Sequence, residues 1–253
     1  MMPPLPAVFL ETPLAHRALH DVSDGRPENS RAAIRAAIAA GYGIEIDLQI
    51  SADNHALVFH DYVLDRLAEG QGPVKALQAH ETADVKLKGG DGEGIPDLPE
   101  VLEIVAGQVP LLIEIKDQDG QMGPGVGPLE AAAAAALAGY DGPVAVMSFN
   151  PHSVAEMARL APDVPRGLVT SAYDAQDWGL PEDTRLRLKA ITDFKRCGAG
   201  FISHEAGDLG SPRVQELRDE GVPVLCWTIR SAEEEGVARA FADNVTFEGY
   251  LPA

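Results

Sequence analysis

The stretch GIEIDLQISADNHALVFHD, residues 43–61, decides the fold, because its first half is a strand with two unlike faces. Successive side chains of a strand point to opposite sides. One side of this strand is aliphatic, whereas the other carries Glu45 and Asp47. A later stretch, LLIEIK at 111–116, repeats the alternation with Glu114 on its polar side. Because buried carboxylates are costly unless they are compensated, these polar faces indicate a functional site.

Strand-like runs alternate with alanine-rich helical stretches along the chain, which predicts an α/β fold with a parallel sheet. The clearest helix, SRAAIRAAIAAG at 30–41, has Asn29 or Ser30 as its N-cap and ends at a glycine. An opening strand is expected near residues 7–16. Further strands are expected at 43–49, 109–116, 142–149, 164–170, 198–205, 221–229 and 243–247. About eight strand–helix units in 253 residues predict a single catalytic domain, residues 1–253, folded as a closed TIM (β/α)8 barrel.

Two segments break the regular alternation. The run ALVFHD at 56–61 follows the preceding strand after only SADNH, which is too short for a parallel crossover. It is therefore interpreted as a hairpin that returns His60 to the barrel rim. Residues 62–97 are expected to form a small insertion on the top face. The glycine-rich stretch 117–128 is either a lid or pocket wall, or an ordinary surface loop.

Composition limits the classes of function. An apolar content of 45% is ample for a core, and no apolar run is long enough to cross a bilayer. The first residues lack the features of a secretory signal, and Cys197 and Cys226 are expected to be packed thiols, so the cytoplasm is the expected compartment. The formal net charge of −19 should repel nucleic acid and anionic membranes. An anionic small-molecule substrate would therefore need local positive charge or a metal.

The acidic faces predict a metal site. Helices pack outside a barrel, so the aliphatic faces should point outward and the carboxylates inward. Glu45, Asp47 and Glu114 would then converge near the strand ends, where a hard divalent cation such as Mg²⁺ or Ca²⁺ would offset their charge. The alternative interpretation is an ion-pair network of these carboxylates with Lys116 and Arg17.

Two histidines are expected at the same rim. His16 follows the opening strand and His60 ends the hairpin. Imidazole titrates near neutral pH, so a pair of histidines suits general acid–base catalysis. Zinc ligation by these histidines lacks the usual close spacing of zinc motifs.

Short motifs throughout the chain share one order with a known family. They are HR at 16–17, PENS at 27–30, EID at 45–47, VFHD at 58–61, IPDLPEVL at 95–102, EIK at 114–116, SFNP at 148–151 and CWTI at 226–229. In this order the motifs resemble those of the glycerophosphodiester phosphodiesterase family. The resemblance implies a TIM barrel with a small insertion after the HD motif. It also implies metal-dependent hydrolysis of glycerophosphodiesters to glycerol 3-phosphate and an alcohol.

The resemblance implies a role for each matching position. The acid–base pair would be His16 and His60; the metal ligands would be Glu45, Asp47 and Glu114; the phosphate contacts would be Arg17 and Lys116; and Glu28 would line the pocket and tether Arg17. Trp227 could stack on a choline-like cation or could simply form a wall.

The chain also departs from the pattern of the family. Ala18 stands where the family motif HRG has glycine, which would narrow the site or shift the first loop. Arg230 follows WTI where many members have asparagine, and the chain closes with DNVTFEGYLP at 243–252 rather than the commoner DGIITDYP. The last two differences should alter the shape and polarity of the pocket for the alcohol.

Three alternative functions remain open at the level of sequence. The first is a phospholipase D-like lyase that cyclises lysophospholipids and needs a wide apolar entrance. The second is a glycosidase that uses Glu45 and Glu114 as its carboxylate pair, which leaves the histidines unexplained. The third is a non-catalytic barrel that binds phosphodiesters.

Overall fold

A computed structural model describes residues 3–252 and contains a closed barrel. Its strands are β1 (Leu14–Ala15), β2 (Gly43–Ile50), β3 (Ala56–Val58), β4 (Leu111–Ile115), β5 (Val144–Ser148), β6 (Arg166–Thr170), β7 (Phe201–Glu205), β8 (Val224–Ile229) and β9 (Asn244–Phe247). Parallel pairing runs β1–β2–β4–β5–β6–β7–β8–β9, and β9 pairs with β1 to complete the ring. The TIM barrel predicted from the sequence is confirmed.

Helices surround this ring. They are α1 (Val8–Glu11), α2 (Arg31–Ala40), α3 (Ala79–Thr82), α4 (Leu98–Val105), α5 (Pro128–Leu137), α6 (Pro151–Leu160), α7 (Glu182–Lys189), α8 (Pro212–Asp219) and α9 (Ala232–Ala238). The sequence begins α2 as expected, because the Ser30 hydroxyl accepts a hydrogen bond from the backbone N–H of Ala33. No helix among these described residues is long and apolar enough to cross a lipid bilayer.

The start of the chain corrects one prediction. The strand expected near residues 7–16 is only two residues long, and Val8–Glu11 before it is a short helix. Phe9 on this helix is fully buried and packs inside the barrel with Leu14 and Phe201. The periodicity of a short apolar run does not show whether the run is a helix or a strand. Here the segment forms a helix, which places Phe9 in the barrel floor.

The hairpin prediction is confirmed. β3 runs antiparallel to β2, with Leu48 opposite Val58, and carries the chain back to His60. Residues 62–97 follow it with a 3-10 turn at Val74–Ala76 and the short helix α3. They share an apolar cluster with the hairpin. Its buried members are Leu57, Phe59, Leu64, Ala68, Val74, Leu87 and Ile95.

The two faces of the strands pack as their alternation predicts. Ile44, Ile46 and Leu48 of β2 belong to the outer core, together with Ile34 of α2. The polar faces therefore point into the barrel. Cys197 and Cys226 are buried free thiols, so the prediction of packed cysteines is also confirmed.

The lower half of the barrel interior is filled by large apolar side chains. A fully buried phenylalanine, Phe201, lies beside Gly167 on the neighbouring strand. A Cβ atom at Gly167 would overlap the Phe201 ring, so glycine makes room for it. This packing closes the floor of the barrel interior.

Candidate active site

A cavity of about 150 Å³ opens at the carboxyl ends of the strands. One half of its lining is polar and contains His16, Arg17, Glu45, His60, Glu114 and Lys116. The other half contains Met147, Phe149, Val169 and Trp227. Seven of the nine site residues predicted from the sequence therefore line one cavity. Asp47 and Glu28 contact this lining from behind. No lining residue comes from the described loop 117–128, which lines a separate surface groove instead.

Three carboxylates converge at the base of the cavity. Glu45 and Asp47 project from β2 and Glu114 projects from β4, where Asp47 pairs with Glu114 in register. One oxygen of each carboxylate lies within 4.8 Å of the others, and all three residues are buried. The parallel register of neighbouring strands thus gathers the cluster that the sequence predicts.

A buried lysine partly compensates these carboxylates. Lys116 Nζ lies 2.8 Å from Asp47 Oδ1 and 2.8 Å from Glu114 Oε1. Burial alone lowers the pKa of Lys116, but Asp47 and Glu114 outweigh it and raise that pKa above its ordinary value. Burial has the opposite effect on Asp47 and raises its pKa. Lys116, His60 and Arg17 outweigh this effect and hold the pKa of Asp47 well below its usual range. The ion-pair network considered as an alternative is therefore present.

Glu45 is the carboxylate that this network leaves uncompensated. Its Oε2 accepts a hydrogen bond of 2.9 Å from the backbone N–H of Arg17. Burial, followed by repulsion from Asp47 and Glu114, raises the pKa of Glu45 well above its ordinary value. A buried cluster of carboxylate oxygens that still lacks positive charge fits a hard divalent cation. The chemistry of the donors therefore agrees with a metal held by Glu45, Asp47 and Glu114.

The first loop of the barrel positions Arg17 over this cluster. Arg17 and Ala18 both have left-handed backbone conformations, with φ of 52° and 64°. Arg17 Nη1 lies 2.8 Å from Glu28 Oε1, so the tether expected from the sequence is present. Ala18 donates its backbone N–H to the carbonyl oxygen of Glu45 at 2.9 Å. The position where the family has glycine thus keeps a conformation that favours glycine, although it carries alanine.

His60 is held from the side away from the cavity. Its Nδ1 lies 2.7 Å from Asp61 Oδ1. Arg66 donates two hydrogen bonds to the same carboxylate, of 2.8 and 2.7 Å, and also contacts Glu28. Burial raises the pKa of Asp61, but His60 and Arg66 outweigh it and hold that pKa far below its usual range. An ionised Asp61 therefore fixes the Nδ1 side of the imidazole.

His16 is held in a similar way by the last loop of the barrel. Its Nδ1 lies 2.6 Å from Glu248 Oε2, and Arg230 Nη2 lies 2.8 Å from Glu248 Oε1. The neighbouring His16 and His20 side chains hold the pKa of Glu248 well below its usual range. Burial lowers the pKa of His16, although Glu248 opposes this shift. His16 is therefore biased toward its neutral form, with Nδ1 engaged by a carboxylate.

Aromatic side chains form another part of the cavity wall. The rings of Phe149 and Trp227 meet edge to face with centroids 5.5 Å apart, and Phe149 also packs against Trp178 at 5.0 Å. The Trp227 indole donates a hydrogen bond of 3.1 Å to the backbone carbonyl of Ser203. Trp227 is thus fixed as a wall and still presents its surface to the cavity.

Sequence reasoning assigned no role to several residues that the structure places at this site. Asp61 directly follows His60, and Glu248 directly follows β9, so both could have been found by looking at residues next to strand ends and histidines. Arg66 carries no such signal because it comes from the insertion. His20 also lies beside this site, with its Nε2 3.6 Å from Glu248 Oε2.

The fold and this site together define a class of protein. A TIM barrel in which three converging carboxylates, two histidines and the cationic side chains of Arg17 and Lys116 meet at one cavity is that of a hydrolytic enzyme acting on a phosphoric diester. Comparison with known proteins narrows the class to one family.

The model of the glycerophosphoryl diester phosphodiesterase family matches residues 16–246. The chain belongs to this family. A glycerophosphodiester phosphodiesterase from Caldanaerobacter subterraneus subsp. tengcongensis is 30% identical over 242 residues, which cover 92% of this chain and 91% of that protein. The putative glycerophosphodiester phosphodiesterase YhdW of Bacillus subtilis is 28% identical and covers 86% of each chain.

Solved structures agree on the fold. An Oleispira antarctica phosphodiesterase, solved in complex with the product sn-glycerol-3-phosphate, superposes with a TM-score of 0.76. Its sequence is 23% identical, and the match covers 95% of this chain and 94% of that one. A putative glycerophosphoryl diester phosphodiesterase from Silicibacter pomeroyi gives a TM-score of 0.74 at 21% identity, over 92% of this chain and 88% of that one.

Proposed function

We propose that this enzyme hydrolyses small glycerophosphodiesters to glycerol 3-phosphate and an alcohol, with a divalent metal and two histidines. The observation that supports this most is the convergence of the acidic cluster and two imidazoles, each anchored at Nδ1, in one cavity. The Oleispira antarctica relative was solved with the product sn-glycerol-3-phosphate, which is consistent with the same chemistry.

Glu45, Asp47 and Glu114 would hold the metal, Mg²⁺ or Ca²⁺. A bound divalent cation supplies Lewis-acid stabilisation of the negative charge that grows on the phosphoryl oxygens. Arg17 and Lys116, which already lie beside the carboxylates, would donate hydrogen bonds to the phosphate. With the metal, these cations exceed the three carboxylates by one formal charge, so the site would accept an anion although the whole chain is acidic.

The two histidines would move protons. Because Nδ1 of each ring is engaged by a carboxylate, Nε2 is the nitrogen available to substrate in both. One imidazole would take a proton from the glycerol 2-hydroxyl or from water, and the other would donate a proton to the leaving alcohol. Either route breaks the bond between phosphorus and the oxygen of the leaving alcohol. Attack by water gives glycerol 3-phosphate directly, whereas attack by the 2-hydroxyl gives a cyclic phosphate that water must then open.

The alcohol would leave along the aromatic wall. Phe149 and Trp227 line the same cavity as the acidic cluster, so the glycerol end would face the carboxylates and the head group would face the rings. The indole surface of Trp227 would suit a quaternary ammonium head group.

The lyase alternative keeps one supporting observation. The catalytic cavity is too small for an acyl chain, but a groove of about 720 Å³ adjoins it and shares Thr228 and Arg230 with its lining. Apolar residues of this groove include Leu209, Ile229 and Val237. Cyclisation of a lysophospholipid is therefore the second candidate function.

The decisive experiment measures products rather than binding alone. Purified protein, stripped with EDTA and resupplied with Mg²⁺, Ca²⁺ or Mn²⁺, is incubated with glycerophosphocholine, glycerophosphoethanolamine, glycerophosphoglycerol and lysophosphatidylcholine. Release of glycerol 3-phosphate supports hydrolysis, and a cyclic phosphate as final product would support the lyase. Binding without turnover of any substrate would favour the non-catalytic barrel, and full activity in chelator would contradict the metal.

A further inference from the structure

We infer that Glu248 and Arg230 act together as positioning residues for His16, an inference that rests on the proposed function. Glu248 engages His16 Nδ1 at 2.6 Å, and Arg230 holds the second oxygen of the same carboxylate at 2.8 Å. Neither residue needs to touch the substrate to act in this way. They would fix the ring so that its Nε2 faces the reacting atoms.

The other catalytic candidate is held by the same construction. His60 Nδ1 contacts Asp61, and Arg66 binds that carboxylate with two hydrogen bonds. Each imidazole thus contacts a carboxylate, and that carboxylate contacts a guanidinium. The two groups of three residues come from different loops. A carboxylate at Nδ1 fixes the tautomer and orientation of a histidine and stabilises the imidazolium that forms when Nε2 accepts a proton.

The positions of Glu248 and Arg230 explain how they meet. Arg230 directly follows β8, and Glu248 directly follows β9, the neighbouring strand of the barrel. Both side chains therefore rise from the same stretch of the rim. Arg230 and the closing segment are also two of the three departures from the family pattern, and Glu248 of that segment forms an ion pair with Arg230.

His20 shows why the carboxylate needs Arg230. His20 Nε2 is buried without a hydrogen-bond partner and lies 3.6 Å from Glu248 Oε2, the oxygen that His16 uses. A carboxylate held only on one side could turn from His16 to His20. Arg230 holds the other oxygen, Oε1, and so keeps Oε2 directed at His16.

The test compares Glu248→Gln, Arg230→Asn and a control, Arg213→Asn. Arg213 forms an ion pair of the same length, 2.8 Å, with Glu216 on α8, away from the site. For Glu248→Gln we expect kcat to fall roughly 10- to 100-fold, less than the ~10⁴-fold known for a fully buried orienting aspartate, since the Glu248 side chain is 21% exposed. For Arg230→Asn we expect a loss of roughly 3- to 10-fold. KM should stay near wild type in Glu248→Gln, and Tm should stay near wild type in both variants.

The control should match wild type in kcat, KM and Tm. A second change should also separate positioning from a general structural role. In Arg230→Asn, the added change His20→Leu removes the competing donor and should recover part of the lost kcat. An unchanged kcat in Glu248→Gln would overturn the inference. So would a fall in kcat that is accompanied by a fall in Tm and is not recovered by the change at His20.

A spectroscopic readout keeps the inference separate from the proposed activity. Two-bond ¹H–¹⁵N correlation spectra of histidine-labelled protein at pH 8 report which ring nitrogen of His16 carries the proton, with His16→Gln as the assignment control. We expect the Nδ1–H tautomer in wild type and a mixture in Glu248→Gln. An Nε2–H tautomer in wild type would overturn the positioning role, whatever the substrate, whereas inactivity toward every phosphodiester would overturn the proposed function alone.

Discussion

The imidazoles of His16 and His60 are the residues on which the proposed chemistry depends most directly. We expect His16→Gln and His60→Gln each to lower kcat by ~10²–10⁴-fold, which is the usual contribution of one general acid or base. His80→Gln is the matched control, because His80 is exposed on α3. Release of glycerol 3-phosphate gives kcat, and thermal unfolding checks the fold. Near-normal turnover in either variant would remove that histidine from the mechanism.

A third histidine should make stability depend on pH. His204 is buried; its Nδ1 lies 2.7 Å from Thr170 Oγ1, and burial lowers its pKa below the ordinary 6.5. The unfolded chain then binds a proton first, so stability is complete above about pH 6.5 and falls as pH drops below it, by up to about 1.4 kcal/mol per pH unit.

Urea unfolding at pH 5.5 and 7.5 measures this dependence. The difference between the two pH values should be smaller in His204→Gln than in wild type, because glutamine does not titrate. An equal difference in both proteins would show that other groups cause the acid sensitivity.

Candidate site residues could be predicted from sequence where they lie on a regular strand. Glu45, Asp47 and Glu114 lie on strands in which apolar and polar side chains alternate clearly. Because these strands are parallel neighbours, they bring the three carboxylates together. Arg66 and His20 could not be placed in this way. They come from irregular loops, whose paths are set by tertiary contacts rather than by a repeating pattern.

The strands inside the barrel permit a prediction at the scale of elements. Gly167→Ala should destabilise the protein by about 1–3 kcal/mol, because the new methyl group would overlap the buried Phe201 ring. Gly179→Ala is the control, since a Cβ atom there would meet nothing within 4 Å. Chemical unfolding of both variants gives the free energies.

A double variant tests whether the cause is this contact. Phe201→Leu removes the ring edge, so its cost should be smaller in the Gly167→Ala background than in wild type. Strictly additive free energies would show that Gly167 matters for another reason, such as the backbone of β6.

The regular elements were largely predictable and the irregular ones were not. The alternation of apolar and polar side chains predicted the strands after residue 43. The five-residue link SADNH, too short for a parallel crossover, predicted the hairpin to β3. The helix Val8–Glu11 was mistaken for a strand because its apolar run is too short to show a period. Burial of Phe9 in the barrel floor is a tertiary requirement that no local pattern contains.

Metal binding should stabilise the whole molecule. Glu45 is buried with a strongly raised pKa, so a divalent cation at the cluster would relieve repulsion present only in the folded state. At a concentration of 100 times its Kd, a ligand adds about 2.7 kcal/mol, which corresponds to roughly 5–10 °C in Tm for a domain of this size.

Thermal unfolding with EDTA, Mg²⁺ or Ca²⁺ checks this expectation. The shift caused by the ion should disappear in Glu114→Gln and persist in Asp163→Asn, which removes an exposed carboxylate. A shift of equal size in all three proteins would indicate general ionic screening.

The barrel is completed by only two residues, Leu14 and Ala15, which join Gly43–Ile50 on one side to Asn244–Phe247 on the other. Loss of that seam would convert a sheet without edges into an open one with two unpaired borders, each able to add a strand from another molecule. Proteolysis in the first loop would therefore both displace Arg17 and expose these borders to self-association.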